Sequence, residues 1–408
     1  MLNRIWTFFF IGGFVAAVGR TLAGHSEVWR EMVGATFEMA KTGFEIALGL
    51  TGVMCLWLGI MRIGERGGAV EFLARVFGPL GRRLFPGIPA GHPAHGSIVM
   101  NMAANMLGLD NAATPLGLKA MGQLQELNPE KETASNDQIL FLVINASSVT
   151  IVPTTIMTFR AQMGAADPTD VFLPILVATF CSTMAGLLAT GLIQRLRLWD
   201  KVVLAYLGGL TAIVGGLVAY FAQLDKAALE SQSSLLANVL VFGLILSFLA
   251  AGMRRRVDLF SSFVEGGKEG FQVAIGIVPY LVAMLVGIGV FRASGALELI
   301  LGGVRSLVEA VGGDTRWVEG LPTMLMKPLS GSGARGMMIE TMKNSGADSF
   351  AGRLASTIQG SSETTFYVLA VYFGSVGIRK SRHAIACGLI ADLAGFLAAI
   401  GMVYLFWG

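Results

Sequence analysis

Long apolar stretches alternate with short polar loops along most of this chain. Nine of these stretches are long enough to cross a membrane as helices. They lie near residues 4–24, 42–62, 138–159, 171–194, 202–222, 234–252, 271–291, 353–376 and 383–407. Two regions between them, 66–124 and 295–346, are too polar and too rich in Gly and Pro for simple spans. We therefore expect an all-α polytopic membrane protein in which each of these two regions forms a re-entrant hairpin.

The same sequence pattern occurs twice. Residues 41–50 (KTGFEIALGL) return as residues 268–277 (KEGFQVAIGI). Further matches follow in order: Gly68-Ala69 with Gly295-Ala296, Glu71 with Glu298, 87–89 with 320–322, Gly108 and Asp110 with Gly346 and Asp348, and 144–150 with 358–364. An ordered series of matches indicates a duplication. We expect the copies at residues 1–200 and 231–408, with 201–230 as a linking helix and loop.

The basic residues predict how the copies are oriented. A cytoplasmic N-terminus places more than half of the 30 Lys and Arg residues in cytoplasmic loops, as the positive-inside rule requires. Arg254, Arg255 and Arg256 are the strongest cluster. With four spans in each copy, the single extra helix 202–222 reverses the second copy, so the repeat is inverted and the C-terminus is external. Inverted repeats are typical of secondary transporters. The segment from Glu71 to Phe85, with Arg75, Arg82 and Arg83, predicts a helix lying in the membrane interface.

The composition agrees with a lipid environment. Hydrophobic residues make up 54% of the chain and charged residues 14%, and the mean hydropathy is +0.66. The net charge of +3 gives no sign of a nucleic-acid partner. The cysteines lie in apolar stretches, which favours neither a disulfide framework nor a metal site. His92 and His95 do not form a zinc motif, because Pro93 breaks the helix that would align them. Without a phosphate loop or a serine triad, we expect neither an enzyme nor a cofactor.

Polar residues interrupt two apolar spans at matched positions. These residues are Asn145, Ser147 and Ser148 in the first copy, and Gln359, Ser361, Ser362, Glu363 and Thr364 in the second. Polar side chains at that depth are costly unless they face a cavity or a partner helix. Ser and Thr can instead bond to carbonyls of their own helix. A buried carboxylate, such as Glu363 or Asp392 of the last span, needs a proton, a cation or a hydroxyl. We therefore expect solute binding at the interruptions and Na⁺ or H⁺ coupling at Glu363 and Asp392.

The segment 328–336, rich in Ser and Gly, predicts the tip of the second hairpin. Its exposed amides would begin the next helix and attract an anion, and Arg335 would add a positive charge. Ser330, Ser332 and Arg335 are therefore candidate binding residues; the alternative is a tight turn without a ligand. In the first copy, both 90–96 and 108–111 fit the tip. The latter precedes Thr114-Pro115, which suits a helix start.

Three motifs resemble a known family. Residues 101–115 (NMAANMLGLDNAATP) resemble spore maturation protein A of bacteria, and residues 326–336 (MKPLSGSGARG) with 359–364 (QGSSET) resemble spore maturation protein B. The chain is therefore similar to a fusion of the two, over about residues 1–200 and 225–408. Both belong to the Gate or nucleoside-recognition group, which is similar to concentrative nucleoside transporters and to the membrane part of ferrous-iron transporter B. The resemblance implies interfacial helices, re-entrant hairpins, broken spans and a bacterial inner membrane. It adds Asn101 and Asn105 to the expected site.

Two functions fit these features. The first is a secondary transporter or permease for a small polar solute, nucleoside-like or a small organic anion, working by alternating access at a site near the midplane. The second is a non-transporting membrane scaffold or an assembly or maturation factor. A pocket lined by both copies would favour transport, and two packed apolar hairpins would favour a scaffold. The expected partners are the solute and the lipid bilayer, with a homo-oligomer left open.

Overall fold

The structure is a computed structural model, and it describes residues 2–107, 110–147, 149–151, 153–224 and 226–408. Within these residues all regular structure is helical. The α-helices are α1 Leu2–Leu22, α2 Val28–Gly67, α3 Ala69–Leu84, α4 Pro93–Met106, α5 Asp110–Leu127, α6 Asn136–Ser147, α7 Thr154–Gln162, α8 Phe172–Gln194, α9 Lys201–Phe221, α10 Lys226–Arg254, α11 Leu259–Ala293, α12 Ala296–Ala310, α13 Leu321–Met326, α14 Gly331–Ser345, α15 Phe350–Gly360, α16 Thr365–Ser375 and α17 Ala384–Trp407. A 3₁₀ helix covers Arg316–Gly320.

The expected spans appear as long helices and as two broken pairs. Six helices, α2, α8, α9, α10, α11 and α17, are long and apolar enough to cross a membrane, and α1 has a shorter apolar segment. The expected spans 138–159 and 353–376 are interrupted and form the pairs α6/α7 and α15/α16. The all-α polytopic fold is thus confirmed. α2 extends well beyond the expected span 42–62, since its 40 residues are about 60 Å long and a hydrocarbon core is about half that.

Equivalent helices of the two copies run antiparallel, as an inverted repeat requires. Along α2 and α11, Met39 lies against Gly289 and Leu58 lies against Gly266, so one helix ascends while the other descends. Along α8 and α17, Ser182 lies against Gly395, and Gly186 against Ala391. The antiparallel packing of these helix pairs therefore agrees with the predicted inverted repeat.

Glycines allow α2 and α11 to approach closely. A Cβ atom at Gly266 would lie 2.3 Å from the Leu58 carbonyl oxygen, and one at Gly270 would lie 2.5 Å from that of Met54. Small residues permit such backbone contact between membrane helices. The matched Gly68 and Gly295 have φ of 90° and 81° and form the bends that lead into α3 and α12. This equivalence supports the duplication read from the sequence.

The two hairpins are α4 with α5 and α13 with α14. His92 caps α4, where its Nδ1 accepts a hydrogen bond from the Ala94 amide at 3.2 Å, so the segment 90–96 is not the tip. α4 ends at Met106 and α5 begins at Asp110. Gly108 and Leu109 of the other candidate tip, 108–111, lie outside the described residues. The second tip lies between Met326 and Gly331, as expected.

One matched pair from the sequence is wrong. Gly346 and Asp348 follow the second arm of their hairpin, whereas Asp110 begins the second arm of its own. The element order instead makes α13 and α14 the counterparts of α4 and α5. The error arose because short Gly-Asp matches occur in turns of any kind.

The hairpins enter the bundle from opposite ends of α17, which we call the His383 end and the Trp407 end. At the His383 end, Gln194 is hydrogen-bonded to His383, and Gln125 at the close of α5 donates to the Val376 carbonyl at 3.1 Å. At the Trp407 end, the Arg353 guanidinium lies 4.7 Å from the Trp407 ring. Asp348, just after α14, is joined to this end through Arg160. The two tips consequently point towards each other from opposite sides.

Candidate functional site

The two breaks lie side by side in the centre of the bundle. The Glu363 amide of the second break donates to the Ala146 carbonyl at the end of α6, at 2.8 Å. Each break also bonds to the hairpin tip of its own copy. The Ile151 amide donates to the Met106 carbonyl at 2.9 Å, and the Phe366 amide donates to the Pro328 carbonyl at 3.0 Å. The structure therefore brings both hairpin tips and both interruptions together, with equivalent hydrogen bonds in the two copies.

Buried half-helices hold the breaks in place. α6 is buried along its whole length from Gln138 to Ser147, and α15 is buried from Ala351 to Gln359 apart from Arg353. A helix that is enclosed on all sides is fixed by packing rather than by the membrane interface. The polar ends of these two half-helices are consequently presented at one central point.

Two adjoining cavities open at this point. The larger has a volume of about 660 Å³, and the smaller about 110 Å³. Both are lined by Asn105, Gly331, Arg335, Glu363 and Thr364, so they share a wall. Asn145, Ser330 and Ser332 line the larger cavity, and Gln359 and Ser362 line the smaller one. Nine of the predicted site residues thus surround one space to which both copies contribute.

An amide network forms the wall from the first copy. Asn105 donates to the Asn145 side-chain oxygen at 2.8 Å, and the Tyr372 hydroxyl donates to the same oxygen at 3.3 Å. Asn145 donates in turn to the Phe141 carbonyl at 2.9 Å. Asn101 lies outside both cavities, where it donates to the Ala113 carbonyl at 2.7 Å and joins the two arms of the first hairpin. Asn101 therefore supports the tip rather than facing the cavities.

Helix N-termini and a cation face the cavities from the other sides. At the second tip, the Ser330 hydroxyl caps α14 by accepting from the Gly333 amide at 3.0 Å, and it lies 3.3 Å from the Ser332 hydroxyl. One turn further, the Arg335 guanidinium lies 5.3 Å from the Phe159 ring. The first turn of α7, which begins at Thr154, lines the smaller cavity. Such an arrangement favours acceptor or anionic groups of a ligand.

Lys327 and Tyr372 line the cavities but were not among the binding residues predicted from the sequence. The Lys327 ammonium group is buried and donates to the Gln359 carbonyl at 2.7 Å, so it stabilises the carbonyl end of α15. Lys327 lies within the motif 326–336 and Tyr372 lies on α16 outside the motifs, and each fits an ordinary role. Lysine suits a loop, and tyrosine suits an apolar helix.

The two predicted ion-coupling acids have different surroundings. Glu363 is exposed to both cavities from the middle of the break. Asp392 is 1% exposed, lines neither cavity and accepts a hydrogen bond from the Thr365 hydroxyl at 2.7 Å. Arg353 pairs with neither of these acids but with Asp170, at 2.8 Å. The acids therefore have separate roles in any mechanism.

Two predicted serines do not reach the cavities. The Ser147 hydroxyl donates to the Val143 carbonyl, and the Ser361 hydroxyl donates to the Ile358 carbonyl, each at 2.8 Å. This is the self-bonded arrangement that the sequence left open as the alternative. Glycines of α8 and α17 enclose them, since a Cβ at Gly186 would lie 3.6 Å from the Ser147 hydroxyl and one at Gly395 would lie 3.4 Å from the Ser361 side chain. Ser148 lies outside the described residues.

Two stretches of the chain, residues 47–163 and 274–379, match the family model Gate, described as nucleoside recognition. They cover more than half of the sequence and contain both hairpins and both breaks. The chain belongs to the Gate family. Over 165 residues it is 48% identical to spore maturation protein B of Bacillus subtilis (strain 168), covering 91% of that protein and 40% of this chain. Over 189 residues it is 39% identical to spore maturation protein A of the same organism, covering 93% of that protein and 46% of this chain. The resemblance to a fused pair is confirmed.

Proposed function

We propose that this protein is a secondary transporter or permease for a small polar solute. The observation that carries the proposal is the cavity between the two breaks, to which both inverted copies contribute polar side chains. Discontinuous helices that meet at a central cavity are the arrangement by which inverted-repeat transporters bind solutes and alternate between sides. A protein that acted as a scaffold alone would gain nothing from unwound backbone and a carboxylate placed around an open space.

The cavity favours a nucleoside-like solute or a small organic anion. Its volume of about 660 Å³ lies within the range of small-molecule pockets, about 300–1,000 Å³. Arg335 and the N-terminus of α14 suit acceptor groups, whereas Asn105, Asn145 and Glu363 suit donors such as hydroxyl or amino groups. Tyr280, Phe366 and Tyr367 add aromatic surface for a planar ring. Coupling to Na⁺ or H⁺ would supply the driving force, without a bound cofactor.

A charged clamp between the copies closes the Trp407 end. Arg160 is fully buried and lies 2.8 Å from Asp170 and 3.1 Å from Asp348. Arg353 pairs with Asp170 as well, at 2.8 Å. Arg160 and Asp170 flank the loop between α7 and α8 of the first copy, and Asp348 and Arg353 flank the start of α15 in the second. In an alternating-access cycle this clamp would have to open for the solute to leave on that side.

The proposed setting is the bacterial cytoplasmic (inner) membrane, with a cytoplasmic N-terminus and an external C-terminus. The proposal rests on the excess of Lys and Arg in the loops assigned to the cytoplasm. It makes the Trp407 end external and the clamp an outer gate. A cysteine in place of Gly408, in a variant lacking the three native cysteines, should react with an impermeant maleimide added to intact cells. Labelling only after the membrane has been opened would reverse this topology.

Purified protein in liposomes provides the direct test of transport. Nucleosides, dicarboxylates and amino acids would be offered under imposed Na⁺ or H⁺ gradients. We expect uptake of one class, and loss of this uptake in Ser332→Trp, because Ser332 lines the larger cavity and an indole would fill it. Leu299→Trp, at an exposed position on α12, is the matched control. A correctly folded protein that moves none of these classes would favour the alternative of a scaffold or maturation factor.

A further inference from the structure

A buried carboxyl group lies behind the smaller cavity and takes no part in the solute site. Asp392, in the middle of α17, is 1% exposed. Its Oδ2 accepts a hydrogen bond from the Thr365 hydroxyl at 2.7 Å. Its Oδ1 is also buried and has no aligned hydrogen-bond donor among the residues that the structure describes. An ionised carboxylate in such a place is costly unless a proton or a cation neutralises it.

A second hydroxyl connects this carboxyl group to the cavity. The Ser362 side chain, in the break, lies next to the Asp392 carboxyl group and interacts with it. Ser362 is 5% exposed. Its buried hydroxyl has no aligned hydrogen-bond partner among the residues that the structure describes. The same side chain lines the smaller cavity. Ser362 is therefore the contact between the buried acid and the space that the solute site opens into.

The surroundings of Asp392 favour a proton over a metal cation. Among the described residues, the charged groups with the largest effect on Asp392 are Lys327 of the second hairpin tip and Glu363 of the break. The ammonium group of Lys327 disfavours added positive charge of either kind, proton or metal cation, and so does not choose between them. The negative charge of Glu363 makes a further full negative charge at Asp392 less favourable. A proton needs only one oxygen and neutralises the buried carboxylate, whereas a metal cation needs several oxygen ligands around it.

We propose that Asp392 is the proton-binding site of this protein and that Ser362 passes the proton between Asp392 and the smaller cavity. The proton on Oδ1 moves to the Ser362 oxygen as the Ser362 hydroxyl releases its own proton to water in the cavity, and the reverse steps reload the acid. No other bond changes. This proposal rests on the proposed transport function and identifies its coupling ion.

Lys327 links the proton to the solute site. Lys327 stands at the second hairpin tip and donates to the Gln359 carbonyl at the end of α15, at 2.7 Å. When Asp392 is neutral, the Lys327 ammonium group keeps its hydrogen bond to the Gln359 carbonyl at the end of α15. When Asp392 is ionised, its negative charge attracts the same ammonium group and weakens that hydrogen bond. The charge on Asp392 thereby changes the position of the tip that carries Ser330 and Ser332, which line the larger cavity.

Infrared difference spectroscopy tests the proton site without requiring transport. Purified protein in lipid, with no solute, would be titrated with base while the carbonyl stretch of protonated carboxyl groups is recorded. We expect a band that disappears with rising pH in the wild type and is absent in Asp392→Asn. The matched control is Glu340→Gln, which alters another buried acid but one paired with Arg292 at 3.6 Å; it should keep the band. A band that is unchanged in Asp392→Asn, or that Na⁺ removes at constant pH, would overturn the proposal.

Transport measurements then test the coupling. In liposomes, Asp392→Asn should keep solute exchange within about twofold of the wild type while losing at least tenfold in uptake driven by a proton gradient. Ser362→Ala should keep the infrared band and slow the driven uptake. Retained proton-driven uptake in Asp392→Asn, or equal loss of exchange and driven uptake, would contradict coupling at Asp392. If the wild type moves no solute, the transport function fails while the infrared titration still decides whether the proton site exists.

Discussion

At the scale of single residues, the duplication has become chemically asymmetric at Glu363, since the matched residue of the first copy is Val149. Glu363 borders both cavities, so its carboxylate is placed to accept hydrogen bonds from solute donors. We expect Glu363→Gln to reduce uptake at least tenfold in exchange and in driven transport alike, because the solute itself binds more weakly. The check is the concentration dependence of exchange in liposomes. Glu319→Gln, which alters an acid paired with Arg305 away from the cavities, serves as the control.

Comparing these variants also distinguishes the role of Glu363 from that of Asp392. Loss of exchange in Glu363→Gln, together with retained exchange in Asp392→Asn, assigns solute binding to the first and proton binding to the second. Normal exchange in Glu363→Gln over a range of pH would make Glu363 a structural residue.

The sequence revealed nine of the polar residues around the cavities, and the reason is physical. Polar residues inside an apolar span carry a desolvation cost that something must offset, so Asn145, Gln359 and Glu363 were conspicuous. Tyr372 was not, because tyrosine is common in apolar helices and its hydroxyl becomes significant only beside Asn145. Ser147 was predicted to bind solute, but its hydroxyl donates to the Val143 carbonyl of its own helix. The sequence alone does not distinguish such a hydroxyl from one that faces a ligand.

At the scale of elements, the clamp of Arg160, Asp170, Asp348 and Arg353 is the main ionic contact between the copies at the Trp407 end. Asp170→Asn removes a charge shared by both arginines. Breaking a buried ion pair typically costs about 3–5 kcal/mol, so the closed arrangement should be weakened. We expect faster labelling, from the Trp407 side, of a cysteine introduced at Ser332.

The control for the clamp is Asp314→Asn at the same end of the molecule. The hydrogen bond from Arg316 lowers the pKa of Asp314 to about 2, so this substitution also removes a full negative charge at neutral pH. The Asp314 pair is exposed, and its loss should leave the labelling rate unchanged. Equal acceleration in both variants would indicate a general effect of charge and would count against a gate.

The sequence predicted some structural elements well and others poorly. The breaks were clear, because a polar interruption ends an apolar span. The bends at Gly68 and Gly295 were not predicted, since the Gly-Ala pairs were recognised only as matches between the copies. The first hairpin tip was not decided, since Gly and Pro mark any turn and His92-Pro93 proved to be a helix start. The full lengths of α2 and α11 were also missed, because their ends are too polar to be recognised by hydropathy alone. The division of the copies at residues 200 and 230 stays a prediction.

At the scale of the whole molecule, antiparallel packing of α2 against α11 holds the inverted copies together. Gly266→Ala should destabilise the protein by about 1–3 kcal/mol, the usual cost of overpacking, because the new Cβ would lie 2.3 Å from the Leu58 carbonyl oxygen. Gly267→Ala is the matched control, since its Cβ would have 3.6 Å to the nearest atom. Thermal unfolding in detergent measures the difference. Equal melting temperatures of the two variants would show that α2 and α11 have room to separate.

Access to one central site from both sides of the membrane is the central claim. A single cysteine at Ser332, in a protein without Cys55, Cys181 and Cys387, would be treated with an impermeant reagent from either side of sealed liposomes of uniform orientation. We predict labelling from both sides, at rates that shift in opposite directions when the proton gradient is reversed, and protection by the transported solute. Labelling from one side only, unaffected by gradient or solute, would contradict alternating access at this cavity.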